Sequence, residues 1–362
     1  MNNKLVDKEP LFHITKRTNI VWWKAWLIRA LAILLASTIC ITLSCIVAKK
    51  SPFVAIADIF EGNFGLGLVW DTIYYVAILL GISLAVTPAF KMKFWNIGAD
   101  GQTLMGCLGC AICSQYLGGK IPEPLLIVIM LVVAITFGAI WAVIPALFKA
   151  KWNTNETLFT LMMNYIATQI TMFFLYQWIT TGSTWKFNYG IIPFFVNDYF
   201  ICILAVTILT VISHIYLKHS KQGFEISIVG ESQNTAKYIG INVKKVIIRT
   251  LIISGAICGL MGFLIINVDK QLTTLTVGGR GFTAIIVAWL AKFNPIYMIF
   301  ASFLVVFSDQ GISNFLSKAG FRNGSFGDII IGLLFLFIIG CEFFISYQIK
   351  FKSKTKNKKE DN

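Results

Sequence analysis

Charge is what this 362-residue sequence has least of. Asp, Glu, Lys and Arg together make 13% of it, against 57% hydrophobic residues. A soluble domain carries about 25% charged residues. That shortage, with several apolar runs longer than the roughly 18 residues a spanning helix needs, excludes an ordinary soluble domain. The chain is read as an all-α polytopic membrane protein. Histidine is scarcer still. His13, His214 and His219 stand in the leader and at run ends, so no metal cluster and no H-E-x-x-H pattern is formed. No G-x-x-x-x-G-K-[ST] loop occurs, since Gly119-Lys120 is followed by Ile121 and lacks the upstream glycine. No Ser/His/Asp set is suggested by position. These absences argue against an enzyme with its own nucleotide-hydrolysing site, and no cofactor or metal is expected. Carboxylates are few within the runs, which argues against a buried proton relay. Any uphill movement would draw on a partner for energy.

Cysteine is present eight times but is missing from any evident external loop. Cys40, Cys45, Cys107, Cys110, Cys113, Cys202, Cys258 and Cys341 all lie in or beside apolar runs, so no disulfide framework is implied. The C-x2-C-x2-C spacing of Cys107, Cys110 and Cys113 lacks the fourth ligand of an iron–sulfur run, because Leu117 stands in its place. Small residues packed in a membrane helix are the better account. The first apolar run, about 25–48, is longer than a signal-peptide core and follows a long basic leader, so it reads as an uncleaved helix.

The other runs are about 68–90, 94–117, 125–148, 157–178, 199–217, 246–268, 282–290, 296–307 and 328–349. Together they give about ten candidate spans, some broken or half-spanning. Residues 49–67 read as a mixed segment and 180–198 as a loop. The expected organisation is a leader over 1–24, a membrane domain over 25–349 with a polar loop at 218–247, and a disordered basic tail over 350–362. With the N-terminus inside, the outside segments keep only Lys49, Lys50, Lys120, Lys186, Lys270, Arg280, Lys318 and Arg322 of the 31 Lys and Arg. This bias predicts both termini in the cytoplasm. It also accounts for the net charge of +14 without nucleic acid.

One stretch breaks the apolar pattern most sharply. Phe94-Trp-Asn-Ile-Gly-Ala-Asp-Gly-Gln-Thr-Leu-Met-Gly106 carries two amides, a carboxylate and three glycines between apolar runs. An unsatisfied polar group in lipid costs roughly several kcal/mol, so these groups need protein or water beside them. Either this is a broken helix lining a solute pathway, or it is a plain turn with Asn96 as a cap. A second polar, glycine-bearing break at 278–295 suggests paired interruptions around a central site. In the polar loop, Ser232 reads as a helix N-cap and Gly240 as a stop, giving about two turns of helix.

The 94–106 motif, Asn155-Glu-Thr-Leu-Phe-Thr-Leu-Met-Met-Asn-Tyr-Ile166, Gly223-Phe-Glu-Ile-Ser-Ile-Val-Gly230 with Ala236-Lys-Tyr-Ile-Gly-Ile-Asn242, and Gly279–Ala288 with Asn294-Pro295 resemble those of a known family. That family is the permease subunits of bacterial ATP-binding cassette (ABC) importers of the nucleoside and simple-sugar, ribose-type branch. The resemblance runs from about residue 68 to 349. It implies a permease for a nucleoside or related ribosyl compound, with riboflavin or a simple sugar as alternatives within the same machine. A stand-alone secondary transporter is the alternative of another class. It implies a solute path lined by Asn96, Asp100, Gln102, Asn155, Glu156, Asn164 and Phe282. It implies an ATPase-coupling segment that includes Gly223, Glu225, Gly230, Ala236 and Gly240. The partners it implies are a cytoplasmic ABC ATPase, an extracytoplasmic solute-binding lipoprotein and a paralogous permease, as a heterodimer or else a homodimer. The setting is the lipid of a bacterial plasma membrane.

Overall fold

The computed structural model describes residues 12–16, 22–179, 182–192, 199–321 and 347–351, with isolated positions between 329 and 343. The elements in chain order are β1 (Phe12–Lys16), α1 (Trp22–Ala48), α2 (Pro52–Phe64), α3 (Leu68–Lys91), α4 (Ala99–Leu117), α5 (Glu123–Trp152) and α6 (Glu156–Trp178). Then come β2 (Trp185–Lys186), α7 (Phe200–His219), α8 (Lys221–Glu231), α9 (Gln233–Tyr238), α10 (Val243–Asp269), β3 (Gln271–Leu272), α11 (Arg280–Leu290), α12 (Pro295–Lys318) and β4 (Tyr347–Phe351). The all-α reading holds: among the described residues the strands form only short two-stranded pairings, β1 with β4 and β2 with β3.

Among the described residues, six helices, α3, α5, α6, α7, α10 and α12, are long and apolar enough to cross a membrane. Residues 34–48 and Pro52–Phe64, bent by 107° at their break, give a seventh span if counted together. The expected ten is higher for identifiable reasons. α4 is diluted by Asp100, Gln102 and its glycines, and α11 has only 11 residues. The expected span over 328–349 lies mostly outside the described residues, and its end, from Tyr347, is the strand β4. The segment 49–67, read as mixed, is the helix α2, started by Pro52 where a missing N–H costs nothing. α12 does not stop at 307 but continues through Ser308, Asp309 and Gln310, with no proline to end it.

Two compact units are present: Met1–Ile59 with Ile312–Asn362, and Phe60–Gly311. In the first, Lys318 pairs with Asp58 at 3.0 Å and the Asn314 amide donates to the Asp58 carbonyl at 2.7 Å. In the second, α10 packs on α3, α4 and α5, α6 packs on α4, and α7 and α11 pack on α3.

Small residues make this packing possible. Lipid gives no hydrophobic drive between helices, so close backbone approach and van der Waals contact take its place. Gly106 of α4 is so near α10 that an added Cβ would lie 2.8 Å from the Gly259 Cα. A methyl at Gly138 of α5 would run into the Gly255 carbonyl oxygen, and one at Gly259 into that of Ala134. Three helices therefore meet along a bare-backbone seam. The α4 thiols join this packing: Cys107 donates to the Gly262 carbonyl at 3.4 Å, and Cys110 to that of Met130 at 3.8 Å.

A second core lies at the other end of these helices. Ala89, Met92, Phe94, Ala142, Ala146, Ile226, Val229, Ala236, Val243, Val246, Ile247 and Leu251 form one buried cluster. It joins the end of α3 and the turn after it to α5, α8, α9 and α10.

Candidate functional site

α3 ends at Lys91 because the chain turns there. Lys93 adopts a positive φ of 59°, and α4 begins only at Ala99. Between them the backbone forms no helix, so its polar groups need partners from elsewhere. Side chains supply them. Asn164 of α6 donates to the Ile97 carbonyl at 2.9 Å and accepts from the Gly101 N–H at 2.9 Å. Thr160, one turn earlier, accepts from the Ile97 N–H at 3.1 Å. The Asn96 side-chain oxygen accepts from the Gly98 N–H and the Gln102 amide, both at 3.1 Å. Its amide nitrogen donates to Ser254 of α10 at 3.2 Å. Gly101 has no room for a side chain, since a Cβ there would meet the Asn164 oxygen at 2.8 Å.

The stretch is thus a break between two helices, locked by α6 and α10. Asn96, Gln102 and Asn164 are buried. The hydrogen bonds described for them run to the chain itself. Asp100 accepts from the Gly281 N–H at 2.9 Å, which fastens the first turn of α11 to that of α4. The start of the second break, which the sequence places over 278–295, therefore meets the first one directly. Gly278 and Gly279 make the turn there, with φ of 60° and 76°. Arg280 lies over the Tyr75 ring at 5.2 Å, and Tyr74 donates to Asp269 at 3.1 Å beside it.

Two of the expected path residues stand elsewhere. Asn155 is the N-cap of α6, accepting from the Leu158 N–H at 3.2 Å. Glu156 pairs with Lys149 at 2.8 Å. Both join the end of α5 to the start of α6, two turns from Asn164. Phe282 is exposed on α11. Ser254 and Thr160, which complete the lock, were not singled out in the sequence. Hydroxyls in apolar helices carry no distinctive pattern, so little could have pointed to them.

α6 has two unlike faces. Thr160, Asn164, Ala167 and Thr171 are buried and recur at helical spacing toward α4. Tyr165, Phe173 and Tyr176 are exposed on the other side, with Gln169 exposed among them.

The 218–247 loop is largely helical. Ser220 caps α8, accepting from the Gly223 N–H at 2.9 Å, and Ser232 caps α9, accepting from the Thr235 N–H at 3.2 Å. The Ser232 cap and the Gly240 stop (φ 85°) match the expected two-turn helix. α8 was not foreseen, although Ser220 and the spacing of Ile226, Val229 and Gly230 were a usable signal. Gly223 and Gly230 are buried because α8 lies against backbone. A methyl at Gly223 would meet the Tyr216 carbonyl, and one at Gly230 that of Lys91. Glu225 pairs with Arg249 at 2.9 Å, which fixes α8 on α10. Ala236 is buried in the shared core, while Tyr238 and Ile239 at the tip of α9 are exposed.

Three relatives are similar over most of the chain. The guanosine ABC transporter permease protein NupP of Bacillus subtilis (strain 168) is 28% identical over 306 residues, 81% of this chain and 86% of the relative. The glucose ABC transporter permease protein TsgB13 of Haloferax volcanii is 26% identical over 304 residues, 78% of each. The guanosine ABC transporter permease protein NupQ of Bacillus subtilis (strain 168) is 26% identical over 261 residues, 67% of this chain and 81% of the relative. Residues 68–339, which hold both breaks and the α8–α9 segment, match one family throughout, and the chain belongs to it: the permease components described as "Branched-chain amino acid transport system / permease component".

Proposed function

We propose that this chain is a membrane permease subunit of an ABC importer and forms the path for a nucleoside or a related ribosyl compound. The observation that carries this reading is the core shared by α8, α9 and the turn after α3. Ile226, Val229 and Ala236 pack in one cluster with Met92 and Phe94. A load applied to α8–α9 therefore reaches the break that Asn96, Gln102 and Asn164 hold. A helical lever packed on a polar break is what a transporter driven from outside its own chain requires. In this reading an ATPase subunit hydrolyses ATP and docks on the cytoplasmic α9 tip, where Tyr238 and Ile239 stand out. Gly223, Glu225, Gly230, Ala236 and Gly240 hold the lever's shape. Asn96, Asp100, Gln102 and Asn164 shape the path, with Asn155, Glu156 and Phe282 at its margins. A binding protein delivers the solute.

The solute class rests on NupP and NupQ, whose names give guanosine; TsgB13, whose name gives glucose, makes a sugar the competing cargo. Two similar permease proteins in one organism support pairing with a paralogue. The test is uptake of labelled guanosine in cells with and without this gene, competed by glucose, ribose and riboflavin. Loss of guanosine uptake on deletion, with no competition from the other three, is expected. Undiminished guanosine uptake with lost sugar uptake would replace the nucleoside by a sugar.

A further inference from the structure

Helices α3, α7 and α12 enclose a groove of about 400 Å³. Ile73 and Leu80 of α3, Ile203 and His214 of α7, and Ile296 and Ile299 of α12 give it three walls. The walls are tied to one another. α3 touches α12 where the Thr87 hydroxyl lies 3.6 Å from the Met298 sulfur, and it touches α7 where the Lys91 ammonium donates to the Leu217 carbonyl at 3.2 Å. Along α7 the groove runs from Ile203 to Ile215, about 18 Å at 1.5 Å per residue. That is a little more than one leaflet of a hydrocarbon core roughly 30 Å thick. A volume of about 400 Å³ over that length makes a slot one side chain wide, too narrow for a helix of about 10 Å diameter.

The slot is hydrocarbon along its length. The hydroxyls of Thr207 and Thr210 donate to their own helix, to the Ile203 and Val206 carbonyls at 2.8 Å each. His214 stands toward one end, and that end is basic. Lys218 is exposed one turn further along α7, and Lys292 is exposed in the turn just before α12. Neither α7 nor the part of α12 up to Phe307 has an Asp or Glu. Glu225, the first carboxylate after α7, is held by Arg249 at 2.9 Å. A chain-wide apolar slot with cations at its mouth complements a phospholipid of negative charge, whose acyl chain fills the slot while its phosphate meets the lysines.

We propose that the groove between α3, α7 and α12 binds an anionic phospholipid, with one acyl chain in the slot and the headgroup at Lys218 and Lys292. The site is separate from the 94–106 break and holds for any solute the path carries.

The test uses the full chain purified in detergent. Phosphatidylglycerol or phosphatidylcholine with identical acyl chains is added, and retained lipid is counted by native mass spectrometry. Wild type is expected to retain more phosphatidylglycerol. Lys218→Gln with Lys292→Gln should weaken that retention about five-fold per lysine and leave phosphatidylcholine unchanged. Val211→Trp, which fills the slot from an exposed position on α7, should weaken both. A charge-matched control, Lys151→Gln with Lys244→Gln, should keep the wild-type preference. Unfolding midpoints near that of wild type show that the variants are folded. Equal retention of the two lipids by wild type, or undiminished retention by Val211→Trp, overturns the site. The same loss in the control pair as in the Lys218 and Lys292 pair overturns it too, in favour of the general basic face of a membrane protein. A chain that retains no lipid but pairs with a second copy, and is split by Val211→Trp, assigns the groove to that copy instead.

Discussion

Asparagine does two different jobs on α6. Asn164 is buried and holds two backbone groups of the 94–106 stretch, the Ile97 carbonyl and the Gly101 N–H. Asn155 sits at the exposed start of the helix and holds one of its own first-turn N–H groups. Removing a partner from a buried polar group costs roughly 1–3 kcal/mol per group, whereas losing an N-cap costs about 1 kcal/mol. Asn164→Ala should therefore lower the thermal unfolding midpoint of the detergent-purified protein clearly more than Asn155→Ala. Equal shifts would mean that water replaces Asn164 without loss. The sequence exposed Asn164 as polar in an apolar run, but not which backbone it serves. That depended on a residue 67 positions away, and no local pattern carries such a pairing.

Among the elements, α8–α9 and the helical seam answer to different physics. Gly230 has no space, for a Cβ meets the Lys91 carbonyl, while Gly240 has open space but a φ of 85°. Replacing Gly230 by Leu has to lift α8 off the turn after α3. Replacing Gly240 by Ala costs only about 1–2 kcal/mol of backbone strain. Gly230→Leu should therefore hydrolyse ATP with little uptake in the assembled transporter, and Gly240→Ala should keep most uptake; full uptake by Gly230→Leu would dissociate α8 from coupling. At the seam, Gly259→Val forces α10 away from α5 and should cut the amount of protein in the membrane several-fold, read by immunoblot. An unchanged amount would show that the seam gives way. Helix positions were legible because apolar runs, and a cap such as Ser232, are local signals, whereas Asn155, placed by the sequence in the solute path, instead caps α6. α2 and the far half of α12 were not, because Asp58, Glu61, Asp309 and Gln310 mask their helices in a purely apolar reading.

For the molecule as a whole, basic residues set the expected orientation, with both termini in the cytoplasm. A tag at either terminus should resist protease added outside intact cells and be cut once the membrane is opened; cleavage in intact cells would invert the topology. Pairing is tested by expressing two differently tagged copies of this chain. If a paralogue is the natural partner, the copies will not co-purify while the paralogue does. The class of molecule was legible from composition, and the family from its motifs. The meeting of the two breaks through Asp100 and Gly281 was only hinted at by their similar make-up.

The seam between α4, α5 and α10 has one more consequence. Gly106, Gly138, Gly255 and Gly259 present bare backbone where most helix pairs present interlocking side chains. Such a contact leaves no slack: with backbone against backbone there is no side chain to yield, so a strain at one of these glycines is passed whole to the neighbouring helix instead of being absorbed by a change of rotamer.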